Sequence, residues 1–120
     1  MKHLFTNHDL MTSRCGEMID VTDDVLSLVR ESGVANGLAV VYSPHATCAI
    51  VLNEFEDGFL ADFADALVEL APELRYYWHD DLTIRTRGIE PDTSEFPNGH
   101  SHIRSELLSS PSLTIPVVDG

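Results

Sequence analysis

Gly37-Leu38-Ala39-Val40-Val41-Tyr42-Ser43-Pro44-His45-Ala46-Thr47-Cys48-Ala49-Ile50-Val51-Leu52-Asn53-Glu54 is the stretch whose reading decides the fold. Gly37–Tyr42 and Thr47–Leu52 are short apolar runs, each of a length and composition expected of a buried strand. Ser43-Pro44-His45-Ala46 has the length of a hairpin loop, so the two runs are expected to pair with each other. Asp57 or Glu56 then opens a helix that reaches about Ala71 and stops at Pro72. Phe59, Leu60, Phe63, Ala64, Leu67, Val68 and Leu70 form its apolar face, with Asp62, Asp65 and Glu69 largely opposite.

Working outward, Thr22 or Asp20 caps an earlier helix that runs to about Ser32. Val21, Val25, Leu28 and Val29 follow helical spacing, Asp23 and Asp24 favour the N-terminus, and Gly33 suits a left-handed stop. Leu4 to Ile19 reads as a weakly marked pair of strands turning at Gly16. From Arg75 to Ser101 the chain is polar and rich in turn residues (Gly88, Pro91, Pro97, Gly99), the kind of long connection that is usually functional or disordered. Ile103–Leu108 reads as a short helix with Ser101 as its cap, and Ser112 to Val118 as a closing strand. The mixture predicts an α+β fold, with a mostly antiparallel sheet and two main helices in one domain over residues 1–120.

Composition narrows the function. A chain of 120 residues, 43% of them apolar, supports one soluble core. Seven basic against 20 acidic residues give a net charge of −13, and Lys2 is the only lysine. That field repels phosphate backbones and disfavours nucleic acid as a partner. It fits a salt-adapted surface and an ordinary solvated acidic one equally well. No apolar run has membrane-spanning length, and the N-terminus carries no signal core, so no membrane partner is expected and the location is expected to be cytoplasmic. Cys15 and Cys48 are two thiols with no CxxC spacing, expected reduced, with Cys48 packed inside a strand.

Four of the six histidines lie in three polar segments: His45 after Pro44, His79 in Tyr76-Tyr77-Trp78-His79-Asp80-Asp81, and the pair in Asn98-Gly99-His100-Ser101-His102. Imidazole titrates near neutrality and ligates metals, so one assembled site is the sharper reading and three exposed loops the blander one. On an extended segment His100 and His102 would project to one side, where they could chelate one ion. Asn53 and Glu54 end the apolar run beside the helix start, where capping competes with orienting a histidine. There is no phosphate loop of the Walker or dinucleotide type and no GxSxG elbow.

These segments resemble the YjbQ family, commonly described as secondary thiamine-phosphate synthases. His45-Ala46-Thr47-Cys48-Ala49-Ile50-Val51-Leu52-Asn53-Glu54-Phe55-Glu56-Asp57 is similar to its H-T-[ST]-A-x strand ending in N-E-N-x-D. Tyr77-Trp78-His79 resembles a Y-x-H segment, and Asn98 to Ser105 resembles N-G-H-[SA]-H-[IL]-K-[AS]. Ser112-Leu113-Thr114-Ile115-Pro116-Val117 resembles S-L-x-[IL]-P-V, and Ile19-Asp20-Val21-Thr22 fits the helix entry. Ala46, Cys48, Phe55 and Arg104 depart from the usual Thr, Ala, Asn and Lys. Family members continue beyond the position of Gly120, so the expectation is a shortened member or a fragment.

The resemblance implies a homotrimer with sites near subunit boundaries. It further implies catalytic roles for His45, His79 and His102, which would also hold a divalent metal, zinc or magnesium. Thr47, Asn53, Glu54, His100 and Ser101 would bind a small phosphorylated ligand. The implied reaction joins a pyrimidine diphosphate to a thiazole phosphate and releases pyrophosphate. The alternative is a non-catalytic trimer that binds metal or a phosphorylated ligand, or a truncated, inactive member.

Overall fold

A computed structural model describes residues 2–89, 95–108 and 111–120. The element order is α1 (Thr22–Ser32), β1 (Gly37–Tyr42), α2 (Asp57–Leu70), a single 3-10 turn (Trp78–Asp80), α3 (Gly99–Leu107) and β2 (Ser112–Val117). The class is α+β with an antiparallel sheet, as the sequence predicts.

The two long helices follow their sequence signals. In α1, Asp20 supplies the capping bond, its carboxylate accepting the Thr22 N–H at 2.9 Å. Gly33 takes the left-handed conformation (φ 59°) and donates its N–H to the Arg30 carbonyl. Val21, Val25, Leu28 and Val29 are the half-buried face. In α2, Glu56 is the cap, accepting the N–H groups of Gly58 and Phe59. Phe59 and Phe63 stack at 5.5 Å, and Leu67 is buried. Val68 and Leu70, expected on the apolar face, are exposed.

Three strand expectations fail. The partner of β1 is β2, antiparallel with Gly37 opposite Val117 and Tyr42 opposite Ser112, and no hairpin forms with Thr47–Leu52. Instead the chain turns after Pro44, where Cys48 donates its N–H to the His45 carbonyl at 3.1 Å. Residues 47–52 have no ladder, so Cys48 is exposed rather than packed. Apolar periodicity identifies a segment that can pair, but not its partner. Leu4 to Ile19 likewise has no ladder, although the turn at Gly16 (φ 70°) is present.

The β1–β2 register accommodates its prolines. Ser43 donates to the Pro111 carbonyl at 2.7 Å, so hydrogen-bonded pairs recur at every second residue. Leu38–Pro116 is then a non-bonded pair, and the missing proline N–H costs the ladder nothing.

Burial is thin. Leu67 and Ala71 are the buried apolar residues among those described, and the extents are 54 × 37 × 22 Å. The radius of gyration, 17.5 Å, exceeds the roughly 13.6 Å expected of a compact chain this long. Leu38, Val40 and Tyr42, on one face of β1, are each more than 60% exposed.

The third helix begins earlier than predicted, at Gly99, and takes in both histidines. Ser101 is therefore inside the helix and not its cap. Pro91, one of the expected turn residues before it, lies outside the described residues. A Cβ on Gly99 would fall 2.6 Å from Tyr77 Cβ and 2.8 Å from its Cγ. Gly99→Ala is expected to destabilise the fold by about 1–3 kcal/mol through overpacking, read as a lower urea midpoint. An unchanged midpoint would show that Tyr77 can yield.

Candidate functional site

Two short segments with opposite tasks make the site. The 3-10 turn presents the Asp80 carboxylate, and α3 presents its unsatisfied first N–H groups. Asp80 Oδ1 accepts from the N–H of Asn98 and of Gly99, both at 2.9 Å. A carboxylate there also complements the positive end of the helix dipole. This joint brings His79, next to Asp80, against His102 in the first turn of α3. Their ring centroids are 4.4 Å apart and tilted by 57°.

Arg85 braces the pair. Its Nη1 lies 3.3 Å from His79 Nε2 and donates to the His79 carbonyl at 3.1 Å. The same nitrogen pairs with Glu95 at 2.5 Å, and the remaining donors go to the carbonyls of Arg87 and Gly88. Burial, followed by the neighbouring charges of His79 and Arg85, holds the His102 pKa below the ordinary histidine value, against an opposing pull from Asp80 and Glu95. The shift favours the neutral imidazole, the form that can accept a proton or ligate a cation.

His100 parts company with His102. Two helical steps place side chains about 200° apart, so the shared side expected of an extended segment does not exist. His100 Nε2 instead lies 3.6 Å from Cys15 Sγ and 3.8 Å from Glu73 Oε1. Its ring is 6.4 Å from that of Tyr77, whose hydroxyl donates to the Pro72 carbonyl. Ser101 Oγ is 3.8 Å from Cys15 Sγ.

His45 is exposed on its turn. Ser105 ties that turn to the pair: its hydroxyl lies 2.7 Å from the Ala46 carbonyl and 2.9 Å from the His102 carbonyl, and can donate to either. His45, His79 and His102 do not offer three ligand atoms within 4.8 Å of one another; among the described residues the group that does is Cys15, Glu73 and His100. Thr47 and Glu54 are exposed and Asn53 is half-buried, and among the described residues no hydrogen bond links them to the imidazole pair. Sequence reasoning missed Arg85, Ser105, Cys15 and Glu73. Arg85 had one available signal: a basic residue close to a histidine segment in a chain with only seven basic residues.

The fold and site define a small α+β protein with a histidine pair at a capped helix N-terminus. The sequence profile described as UPF0047 protein YjbQ-like matches residues 6–120, and the chain belongs to this family. A UPF0047 protein of Methanothermobacter thermautotrophicus is 35% identical over 92% of this chain and 68% of its own length. The UPF0047 protein YugU of Bacillus subtilis is 40% identical over 84% and 67% respectively. A YjbQ/UPF0047 crystal structure from Clostridium acetobutylicum superposes with a TM-score of 0.73 at 30% identity, covering 92% of this chain and 74% of that one. A YbjQ-like protein of unknown function from Sulfolobus solfataricus gives 0.75 at 28% identity, covering 92% and 70%.

The environment of His102 has a titration consequence. Its imidazole is expected to titrate below the ordinary value of 6.5 by NMR, and Arg85→Gln is expected to raise it. Between the lowered folded pKa and 6.5 the unfolded chain binds more protons, so stability falls as pH falls through that window. A His102 titration at or above the ordinary value would refute this.

Proposed function

We propose that the protein is a transferase of the thiamine-phosphate synthase type, joining a pyrimidine diphosphate to a thiazole phosphate at the His79–His102 pair. In that reaction the bond from the pyrimidine methylene carbon to the diphosphate oxygen breaks. The thiazole nitrogen supplies the pair of electrons for the new carbon–nitrogen bond, and pyrophosphate leaves. The observation that carries this reading is the contact of two imidazoles beside an arginine in a strongly acidic chain. Such a pair can hold a proton at a leaving oxygen or take one from an incoming group.

A divalent cation, zinc or magnesium, would supply the charge that a leaving diphosphate needs. The neutral His102 imidazole suits such a cation, and imidazole donors favour zinc over magnesium. His79 and His102 would hold it; His45, exposed on the neighbouring turn, would join them only if that turn moved closer, with Thr47, Asn53 and Glu54 on the run behind it. An open groove lined by Tyr76, Tyr77, Asp80, Asp81 and Thr83 adjoins His79 in the chain and would take the organic part of a ligand. Assembly as a homotrimer in the cytoplasm belongs to the same reading, and the exposed Leu38, Val40 and Tyr42 face supports burial between copies.

A second reading is non-catalytic binding of metal or a phosphorylated ligand. Arg85 favours it, because Glu95 and three carbonyls already engage its donors and leave little for a diphosphate. Turnover of the precursor pair, followed by release of pyrophosphate, separates the two. His102→Ala and His79→Ala are each expected to lower the rate by about 100-fold or more, and His3→Ala to leave it unchanged. Equal rates in all variants, or saturable binding with no turnover, would exclude the transferase reading.

A further inference from the structure

We propose that Cys15, Glu73 and His100 form a metal site of the zinc class, separate from the His79–His102 pair. The three come from different parts of the chain: Cys15 from the turn at Arg14–Gly16, Glu73 from just beyond α2, and His100 from the first turn of α3. Their ligand atoms nevertheless lie within 4.8 Å of one another. Around a tetrahedral zinc, the usual bond lengths place sulfur and nitrogen about 3.6 Å apart, and nitrogen and oxygen about 3.4 Å. Here Cys15 Sγ is 3.6 Å and Glu73 Oε1 3.8 Å from His100 Nε2. The spacing is that of a ligand set with small adjustment.

Burial points the same way. His100 is only 7% exposed, and its Nδ1 has no hydrogen-bond partner. Nε2, the nitrogen that faces Cys15 and Glu73, is the one that would bind the metal, with Nδ1 left as the ring N–H. Arg104 stands behind the ligands: its Nε donates to the Ala71 carbonyl at 3.0 Å, which pins the guanidinium. Its Nη1 then lies 3.9 Å from both Cys15 Sγ and Glu73 Oε1, beside the two ligand atoms and not among them. Thiolate, imidazole and carboxylate together select zinc over magnesium or calcium. Cys15 and Glu73 are exposed, so a fourth position stays open to water or a ligand.

Cobalt reports the site directly. Chelator-treated protein titrated with Co2+ is expected to show a thiolate-to-cobalt charge-transfer band in the near ultraviolet, with tetrahedral bands in the visible. Cys15→Ser is expected to abolish the charge-transfer band, while Cys48→Ser and His79→Ala keep it. His100→Gln is expected to weaken cobalt binding by roughly tenfold or more, since even outer-shell changes cost that much. Far-ultraviolet circular dichroism of each variant separates lost metal from lost fold. Persistence of the band in Cys15→Ser, or cobalt uptake with no thiolate band, would overturn the proposal. Neither result would bear on turnover at His79 and His102.

Discussion

The contact on which the site depends is one carboxylate oxygen, Asp80 Oδ1, shared between the N–H groups of Asn98 and Gly99. A helix start presents donors that must be satisfied, and α3 has no side-chain cap of its own at Asn98. Asp80 fills that role from a different segment, which fixes the distance between the 3-10 turn and the helix. Everything functional nearby inherits that distance. His79 is the residue before Asp80, His102 lies one turn inside the helix, and Gly99 lets Tyr77 approach where a side chain would collide. The capping bond therefore positions as well as stabilises.

Two further long-range ties hold the frame. The β1–β2 ladder joins the first half of the chain to its last strand. The Ser105 hydroxyl lies within hydrogen-bond distance of two carbonyls, one beside His45 and one belonging to His102. With so few apolar residues buried, specific polar contacts of this kind carry an unusual share of the arrangement. Arg85 is the clearest case, its guanidinium tying together the His79 backbone, Glu95 and the loop at Arg87 and Gly88.

Much of the fold was readable in the residues themselves. The stripe Val21, Val25, Leu28, Val29, the stop at Gly33, the cap Glu56 and the break at Pro72 are local signals, and local physics honoured them. Thr47–Leu52 misled because a β-prone run declares its capacity to pair and not its partner. The histidines mislead for a related reason: a shared side for His100 and His102 requires a period of two, and the segment is helical. The family resemblance joins His45, His79 and His102 in one site, of which the structure brings His79 and His102 into contact, while Cys15 and Glu73 carry no local mark.

The amino-acid sequence by itself determined the helices, the two strands that form, the acidic field and membership of the YjbQ-like family, because each is written in neighbouring residues and their order. Only the tertiary structure decided which strand pairs with which, where α3 begins and how the histidines divide. Those outcomes rest on contacts between residues far apart in the chain, such as Asp80 with Gly99 and His100 with Cys15, and no local periodicity encodes them.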